Sequence, residues 1–358
     1  MRATNKYRVA QVGLGARGRI HVEGFLANAE RFDLAAICDL DEERLRRGAA
    51  DYGISAAYTD ADRMLAEVKP DVFCFVTQPH VRLELVELGA RHAVKALAFE
   101  KPMATSLREA WTIADLCRRH AIKAVVSHQQ KYLTSMEKLK GIVDGGEIGE
   151  VTQIHATTRG WLSQLGTHFM DYIMWVNGGQ RAKWVVGHVH GQDKLNDSHP
   201  SPDYLLGQVA FENGVRALIE CGYLAPSHMA RDLFWTDNRL TVYGTHGYAW
   251  ADTDGRWAAL TRTSRGEPLG GQGDPWSVQE KERLQRLYLA GLADWLDDEA
   301  QVHPCNVELA YHGYEILEGM CLSALDHARV DLPLPDPGAS DDILERMRGA
   351  LPAQGDIL

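Results

Sequence analysis

The chain has 358 residues, of which 45% are hydrophobic and 24% charged, with a formal net charge of -11 at pH 7. That length exceeds what one hydrophobic core ordinarily serves, so two domains are expected, and the composition is that of a globular chain. The acidic balance argues against nucleic acid as a main partner, and the lack of any long apolar run argues against a membrane span.

Over the first third, short apolar runs alternate with amphipathic ones. YRVAQVGLG is a β-branched run ending in glycines, and RIHVEGFLANAE follows at helical spacing. FDLAAICD reads as a strand, DEERLRRGAADYG as a helix with a glycine stop, and DVFCFVT as a buried strand. The helix-like VRLELVELGARH leads into the strand VKALAFEKP. SLREAWTIADLCRRH then opens on a Ser106/Glu109 capping box, and AIKAVVSHQ is the next strand. This rhythm predicts a parallel sheet covered on both faces over residues 1–126.

The rhythm then changes. YLTSMEKLKGIVDGG predicts a bridging helix, LLGQVAFENGVRALIECGYL a hairpin turning at Asn213-Gly214, and RLTVYGTHGYAWA a further strand and turn. SVQEKERLQRLYLAGLADWLDD and NVELAYHGYEILEGMCLSALDHA are two late helices of this second region, residues 127–335. TRTSRGEPLGGQGDP, rich in glycine and proline, reads as a mobile loop. Residues 336–358 follow a proline-rich break and form a tail with a short amphipathic helix. The fold class is α/β: a doubly wound parallel sheet first, then an α+β domain on an open, mostly antiparallel sheet.

Six cysteines lie far apart with no C-x-x-C pair, several inside apolar runs where a thiol behaves as a small hydrophobe. MRATNKYRVAQVG goes directly into strand-like sequence with no apolar signal region. A reducing, cytoplasmic setting is expected.

Gly13-Leu14-Gly15-Ala16-Arg17-Gly18 matches G-x-G-x-x-G between a strand and a helix, where backbone N–H groups approach a pyrophosphate at a helix N-terminus. Asp39 ends the second strand, in position to accept hydrogen bonds from the adenosine ribose. The acids of CDLDEERL repel the extra phosphate of NADP, with Arg44 and Arg46 as the opposing charges, so NAD is the expected cofactor. Lys101 follows a buried strand in ALAFEKPMA and so points into the crevice where open α/β sheets bind ligands, with Pro102 fixing the chain there. A cis bond is allowed at that proline.

In GWLSQLGTHFMDYIMWVNGG, two stripes emerge at helical spacing. Leu165, Phe169, Tyr172, Ile173 and Val176 should face the core, while Gln164, His168, Asp171 and Trp175 form a narrower polar stripe suited to lining a cleft. The plainer reading of His168 is a histidine hydrogen-bonded in a core. Asp171 is expected to orient or cap rather than react.

The motifs GLGARGR, CDLDEERL, TQPH, EKP and GTHFMDYIMW occur in the order of the glucose-fructose oxidoreductase / inositol dehydrogenase / MocA-like (Gfo/Idh/MocA) family, which the chain resembles over about residues 7 to 330. The resemblance implies a Rossmann domain and a C-terminal domain whose open sheet serves substrate binding and contacts in a homodimer or homotetramer. It implies hydride transfer between NAD and a hydroxyl-bearing carbon of a sugar, sugar derivative or cyclitol. Lys101 would bridge nicotinamide ribose and reacting hydroxyl, His168 would be the acid/base, and Thr77 and Glu100 would line the cofactor site. Oxidising a secondary alcohol needs a base for the hydroxyl proton, and histidine titrates in the right range.

Gln164 departs from the family, which commonly has an aspartate four residues before the histidine. An amide cannot ionise, but it orients a ring or holds a hydroxyl. That departure keeps open an oxidoreductive glycosidase, which oxidises a sugar hydroxyl transiently, eliminates the aglycone, adds water and returns the hydride. A non-catalytic cofactor sensor is the third reading, opposed by the presence of both Lys101 and His168.

Gln129 and Lys131 after the fifth strand, and Arg159 and Trp161 before the histidine helix, should border the crevice. Their cations suit a polyhydroxylated or anionic substrate, a solvent-facing Lys131 being the alternative. His188, His190 and His199 in GHVHGQDKLNDSHP offer imidazoles but no companion acid or thiol, so no metal is expected.

Overall fold

The computed structural model describes residues 6–229 and 235–352. Its chain divides into two compact units, one of Met1–Ala104, Glu109–Gln129 and Glu280–Glu308, the other of Thr105–Arg108, Gln130–Gln279 and Leu309–Leu358.

The first unit opens with β1 (Tyr7–Val12), α1 (Ala16–Leu26), β2 (Phe32–Cys38), α2 (Glu42–Tyr52), β3 (Ala57–Tyr58) and α3 (Ala61–Val68). It continues with β4 (Val72–Phe75), α4 (Arg82–Arg91), β5 (Ala96–Phe99), α5 (Leu107–Arg119) and β6 (Lys123–Val126). The six strands run parallel in the order β3-β2-β1-β4-β5-β6. Every residue of β4 and β5 is buried, which is why both read as unbroken apolar runs rather than as alternation. Asp41 caps α2, its carboxylate accepting from the Glu43 and Arg44 N–H groups. Successive βα units leave β1 in opposite directions, so the adjacent carboxyl ends of β1 and β4 form the switch point where such sheets bind ligands.

The second unit holds α6 (Thr134–Asp144), β7 (Val151–Thr158), α7 (Thr167–Val176), β8 (Ala182–His190), β9 (Tyr204–Phe211), β10 (Arg216–Gly222), β11 (Asn238–Gly244), β12 (Gly247–Asp252), β13 (Arg256–Leu260) and β14 (Leu269–Gln272). The short α8 (Trp276–Gln279) and α9 (Gln285–Asp297) follow, then α10 (Val307–Asp326), β15 (Val330–Asp331) and α11 (Ile343–Ala350). The nine-stranded sheet runs β14-β13-β12-β11-β7-β10-β9-β8-β15, antiparallel throughout except where β7 meets β10. Ile154, Ala156, Ala217 and Ile219 turn to one face and are fully or almost fully buried. On that face Gly187 of β8 pairs with Gly207 of β9. A Cβ at either would collide with Met320, so the two glycines let α10 lie directly on the sheet. Alternation leaves the other face partly exposed.

Two features differ from the expectations. Leu269–Gln272, inside the stretch read as a loop, is an edge strand on β13, since ladder hydrogen bonds use the backbone and need no apolar side chain. The expected hairpin is present, β9 and β10 pairing antiparallel across a turn that contains Asn213 and Gly214, the latter at φ +89°. The helix α9, read as part of the second region, groups with the first unit, where its Gln285 and Leu289 pack on Gly24 of α1. Periodicity shows that a helix buries a face, not which sheet receives it. The short tail helix is present as α11, and residues 353–358 of that tail lie outside the described residues.

Candidate functional site

The glycine loop follows β1. Gly13 has φ +89°, and a Cβ there would collide with the Val76 carbonyl, as one at Gly18 would with the Gly13 carbonyl. A Cβ on Gly15 would meet nothing within 4 Å, so the open side of the loop is here. Buried Gln11 staples the loop from beneath, its Nε2 donating to the carbonyls of Gly13 (3.1 Å) and Gly18 (2.8 Å). Sequence reasoning passed over Gln11, although a polar residue in an apolar strand was the available signal.

Asp39, one residue past β2, accepts from the Leu14 N–H at 2.8 Å and the Asp41 N–H at 2.9 Å, and pairs with Arg44 at 2.9 Å. Burial by itself would raise its pKa; the Arg44 hydrogen bond and those two backbone donors outweigh that and hold it low. Arg44 also meets Asp41 at 3.0 Å, so its charge is engaged by acids. A close-packed glycine loop, open at Gly15 and tied to an ionised Asp39, fits a dinucleotide with a free ribose 2′-hydroxyl.

Two further loops meet beyond β4 and β5. Glu100 is buried, accepting from Arg17 at 3.1 Å and paired with His21 Nε2 at 3.0 Å, while Arg17 also grips Glu280. Burial would raise the Glu100 pKa; Arg17, His21 and Lys101 overcome it and hold the carboxyl well below the usual range. Gln285 Nε2 lies 3.1 Å from His21 Nδ1, which makes Nδ1 the acceptor and leaves the proton on Nε2, facing Glu100. Burial pushes the Lys101 ammonium down to about 8, with Glu100 opposing and Arg17 and Arg82 adding to the shift. The Lys101–Pro102 peptide is cis. Arg82, absent from the sequence reading, donates to the carbonyls of Thr77 (2.8 Å) and Lys101 (3.3 Å). The structure thus gathers the glycine loop, Asp39, Thr77, Glu100 and Lys101 at one end of the first sheet.

In the second unit, Trp161 leads into a π-turn, Leu162–Gly166, before α7 begins. Insertions of this kind recur at functional sites. Gln164 lies in that turn, half-buried, and Ser163 Oγ donates to the His199 carbonyl at 2.6 Å. His168 is 4% exposed, its Nδ1 2.9 Å from the Tyr172 hydroxyl. That hydroxyl donates to Gln130 Oε1 at 3.1 Å, so its oxygen accepts from His168 Nδ1–H. The neutral imidazole therefore carries its proton on Nδ1 and keeps its lone pair on Nε2. Tyr172, read as a core residue, and Gln130 were missed as partners of His168; the i, i+4 spacing from His168 was the one signal for Tyr172.

Lys131 and Asp171 form an ion pair at 2.6 Å, each side chain 1% exposed. The solvent-facing alternative for Lys131 is thereby excluded, and Asp171 orients a cation as expected. Arg159 turns its guanidinium onto the carbonyls of Tyr223 and Ala225, and Trp161 stacks under Lys194 at 4.5 Å. His188 is exposed, and His190 Nδ1 faces the Tyr223 hydroxyl at 3.0 Å. Among the described residues no group of three or more His, Cys, Asp or Glu side chains is arranged to hold a metal ion.

Residues 7–128 match the family model described as "Oxidoreductase family, NAD-binding Rossmann fold", and residues 159–250 match the GFO/IDH/MocA C-terminal domain. The chain is 24% identical to a D-apiose dehydrogenase of Paraburkholderia graminis, over 80% of each chain. It is 22% identical to the myo-inositol 2-dehydrogenase of Thermotoga maritima, over 83% of this chain and 89% of that one. A glycosyl hydrolase family 109 protein of Akkermansia muciniphila is 31% identical over 45% of this chain and 36% of its own. Levoglucosan dehydrogenase, solved with NADH and L-sorbose, superposes with a TM-score of 0.78 over 92% of this chain and 99% of that one, at 15% identity.

Proposed function

The chain belongs to the Gfo/Idh/MocA family of NAD-binding oxidoreductases, and on that premise we propose that it transfers a hydride between NAD and a hydroxyl-bearing carbon of a sugar, sugar derivative or cyclitol. The observation that carries this reading is Lys101, at the end of β5 beside a Glu100 locked by Arg17 and His21.

The Gly13–Gly18 loop would hold the pyrophosphate and Asp39 the adenosine ribose, with Thr77 and Glu100 lining the site. Bound NAD supplies the hydride acceptor for oxidation and the donor for reduction. In oxidation, Lys101 donates a hydrogen bond to the reacting hydroxyl and favours the developing alkoxide. His168 takes the hydroxyl proton at Nε2 and returns it in the reverse direction. The amide of Gln164 would meet a second hydroxyl, as an amide can donate or accept. The Lys131–Asp171 pair and the Arg159 backbone contacts suit a supporting role better than direct substrate binding, because both cations are engaged.

The oxidoreductive glycosidase is not favoured: the dehydrogenases are matched over at least 80% of their length, the glycoside hydrolase over 36%. The open face of the second sheet, with Leu206 and Tyr243 exposed, suits association of copies into a dimer or tetramer. All six cysteines are free and buried, which suits a reducing, cytoplasmic setting.

The test is one NMR-monitored incubation with NAD and a panel of sugars, cyclitols and glycosides, following NADH and carbohydrate products together. The expected result is NADH rising in step with a keto product. Aglycone release without net NADH would overturn the dehydrogenase reading.

A further inference from the structure

Arg82 is the first residue of α4, and it is 1% exposed. A guanidinium so placed ordinarily has a carboxylate across from it. Here Nη2 instead donates to two backbone carbonyls, those of Thr77 and Lys101, at 2.8 and 3.3 Å. Thr77 and Lys101 each lie two residues beyond the last paired residues of β4 and β5, Phe75 and Phe99. The ladder between the strands has ended there, and the Arg82 fork joins the two loops in its place. Nε and Nη1 find no acceptor among the described residues, so the hydrogen bonds of the cation go to backbone carbonyls, with Glu100 the opposite charge acting on it.

We propose that Arg82 is a positioning residue for Lys101, fixing its backbone against the Thr77 loop and holding a second buried cation next to its ammonium. This rests on the reading of Lys101 as the group that meets the reacting hydroxyl. The charges acting on Lys101 within its unit are Glu100 beside it, Arg17 from α1 and Arg82 from α4, with His21 and Glu280 acting behind Glu100 and Arg17. Burial lowers the ammonium pKa most; Glu100 works against that, and Arg17 and Arg82 both add to it. The consequence is a lysine whose proton is released more readily than that of a free lysine, while Arg82, which adds to the effect of burial, also holds the loop in register.

The experiment measures the titration midpoint of Lys101 by competitive acetylation and peptide mass spectrometry, on the full chain with and without NAD, beside NAD affinity by fluorescence. Arg82→Met removes charge and fork together; the midpoint should rise about tenfold in proton affinity, and NAD should bind more weakly. Arg82→Lys keeps the charge but reaches one carbonyl rather than two. Its midpoint should stay near that of the parent while NAD affinity falls, a split that a loss of stability alone would not produce. An unmoved midpoint in folded Arg82→Met, or equal midpoint shifts in both variants, would overturn the inference. Should Arg82→Met fail to fold, folded Arg82→Gln takes its place with the same expected rise and the same overturning result. Lys101→Met tests the underlying reading separately. If it still turns over substrate while the Arg82 variants behave as stated, the role of Lys101 falls and the positioning by Arg82 stands.

Discussion

At the scale of single residues, the two groups assigned to chemistry are prepared by neighbours of different kinds. His168 has a hydroxyl–amide pair, Tyr172 and Gln130, at its Nδ1. Tyr172→Phe should lower kcat by roughly fivefold, the worth of one buried hydrogen bond. His168→Asn should cost on the order of 10²–10⁴ in kcat. Lys101 is prepared by burial and charge. Its folded pKa, lowered to about 8 from 10.5, means the unfolded chain holds a proton there that the folded chain has released. Stability through this group therefore rises with pH between about 8 and about 10.5. Urea midpoints of the parent minus those of Lys101→Met should climb across that window; a flat difference would mean that Lys101 titrates as an ordinary surface lysine does.

At the scale of elements, α7 is joined to the turn after β6 by the Lys131–Asp171 pair. A buried pair is not in itself strongly stabilising, because both ions lose water, but stranding one is costly. Lys131→Met should destabilise the chain by about 3–5 kcal/mol in urea unfolding, and Lys131→Met with Asp171→Leu should recover much of that loss. Equal losses in the single and double variants would mean that packing rather than charge matters there. The π-turn before α7 is the other local device. Its wider winding places Gln164 in a different turn geometry from His168, so the stripe read from a uniform helical period does not apply to that residue.

At the scale of the whole molecule, each unit has one sheet and each sheet sets a different task. The parallel sheet is buried on both faces and gathers the candidate cofactor-site residues at its carboxyl edge. The mixed sheet carries helices on one face and leaves the other to solvent or a partner. With Leu206 39% exposed on that open face, Leu206→Glu should shift the species seen by light scattering to a smaller assembly without lowering the melting temperature of the isolated subunit. A parent chain that is monomeric at all concentrations would remove the assembly proposal.

The sequence by itself determined the features that depend on local backbone chemistry and on period. The glycine spacing, the acid at the end of β2, the lysine beyond β5 and the switch from βα units to hairpins are all of this kind. Glycine is required wherever a Cβ would strike a carbonyl, and that requirement is written at single positions. Only the tertiary structure decided the rest. Asp171 neutralises Lys131 from forty residues away, Arg82 ties Thr77 to Lys101, Gln11 holds the loop above it, and α9 packs on α1. Each depends on which distant groups share a low-dielectric interior, where an unpaired donor or charge is expensive, and no period along the chain encodes that choice of partner.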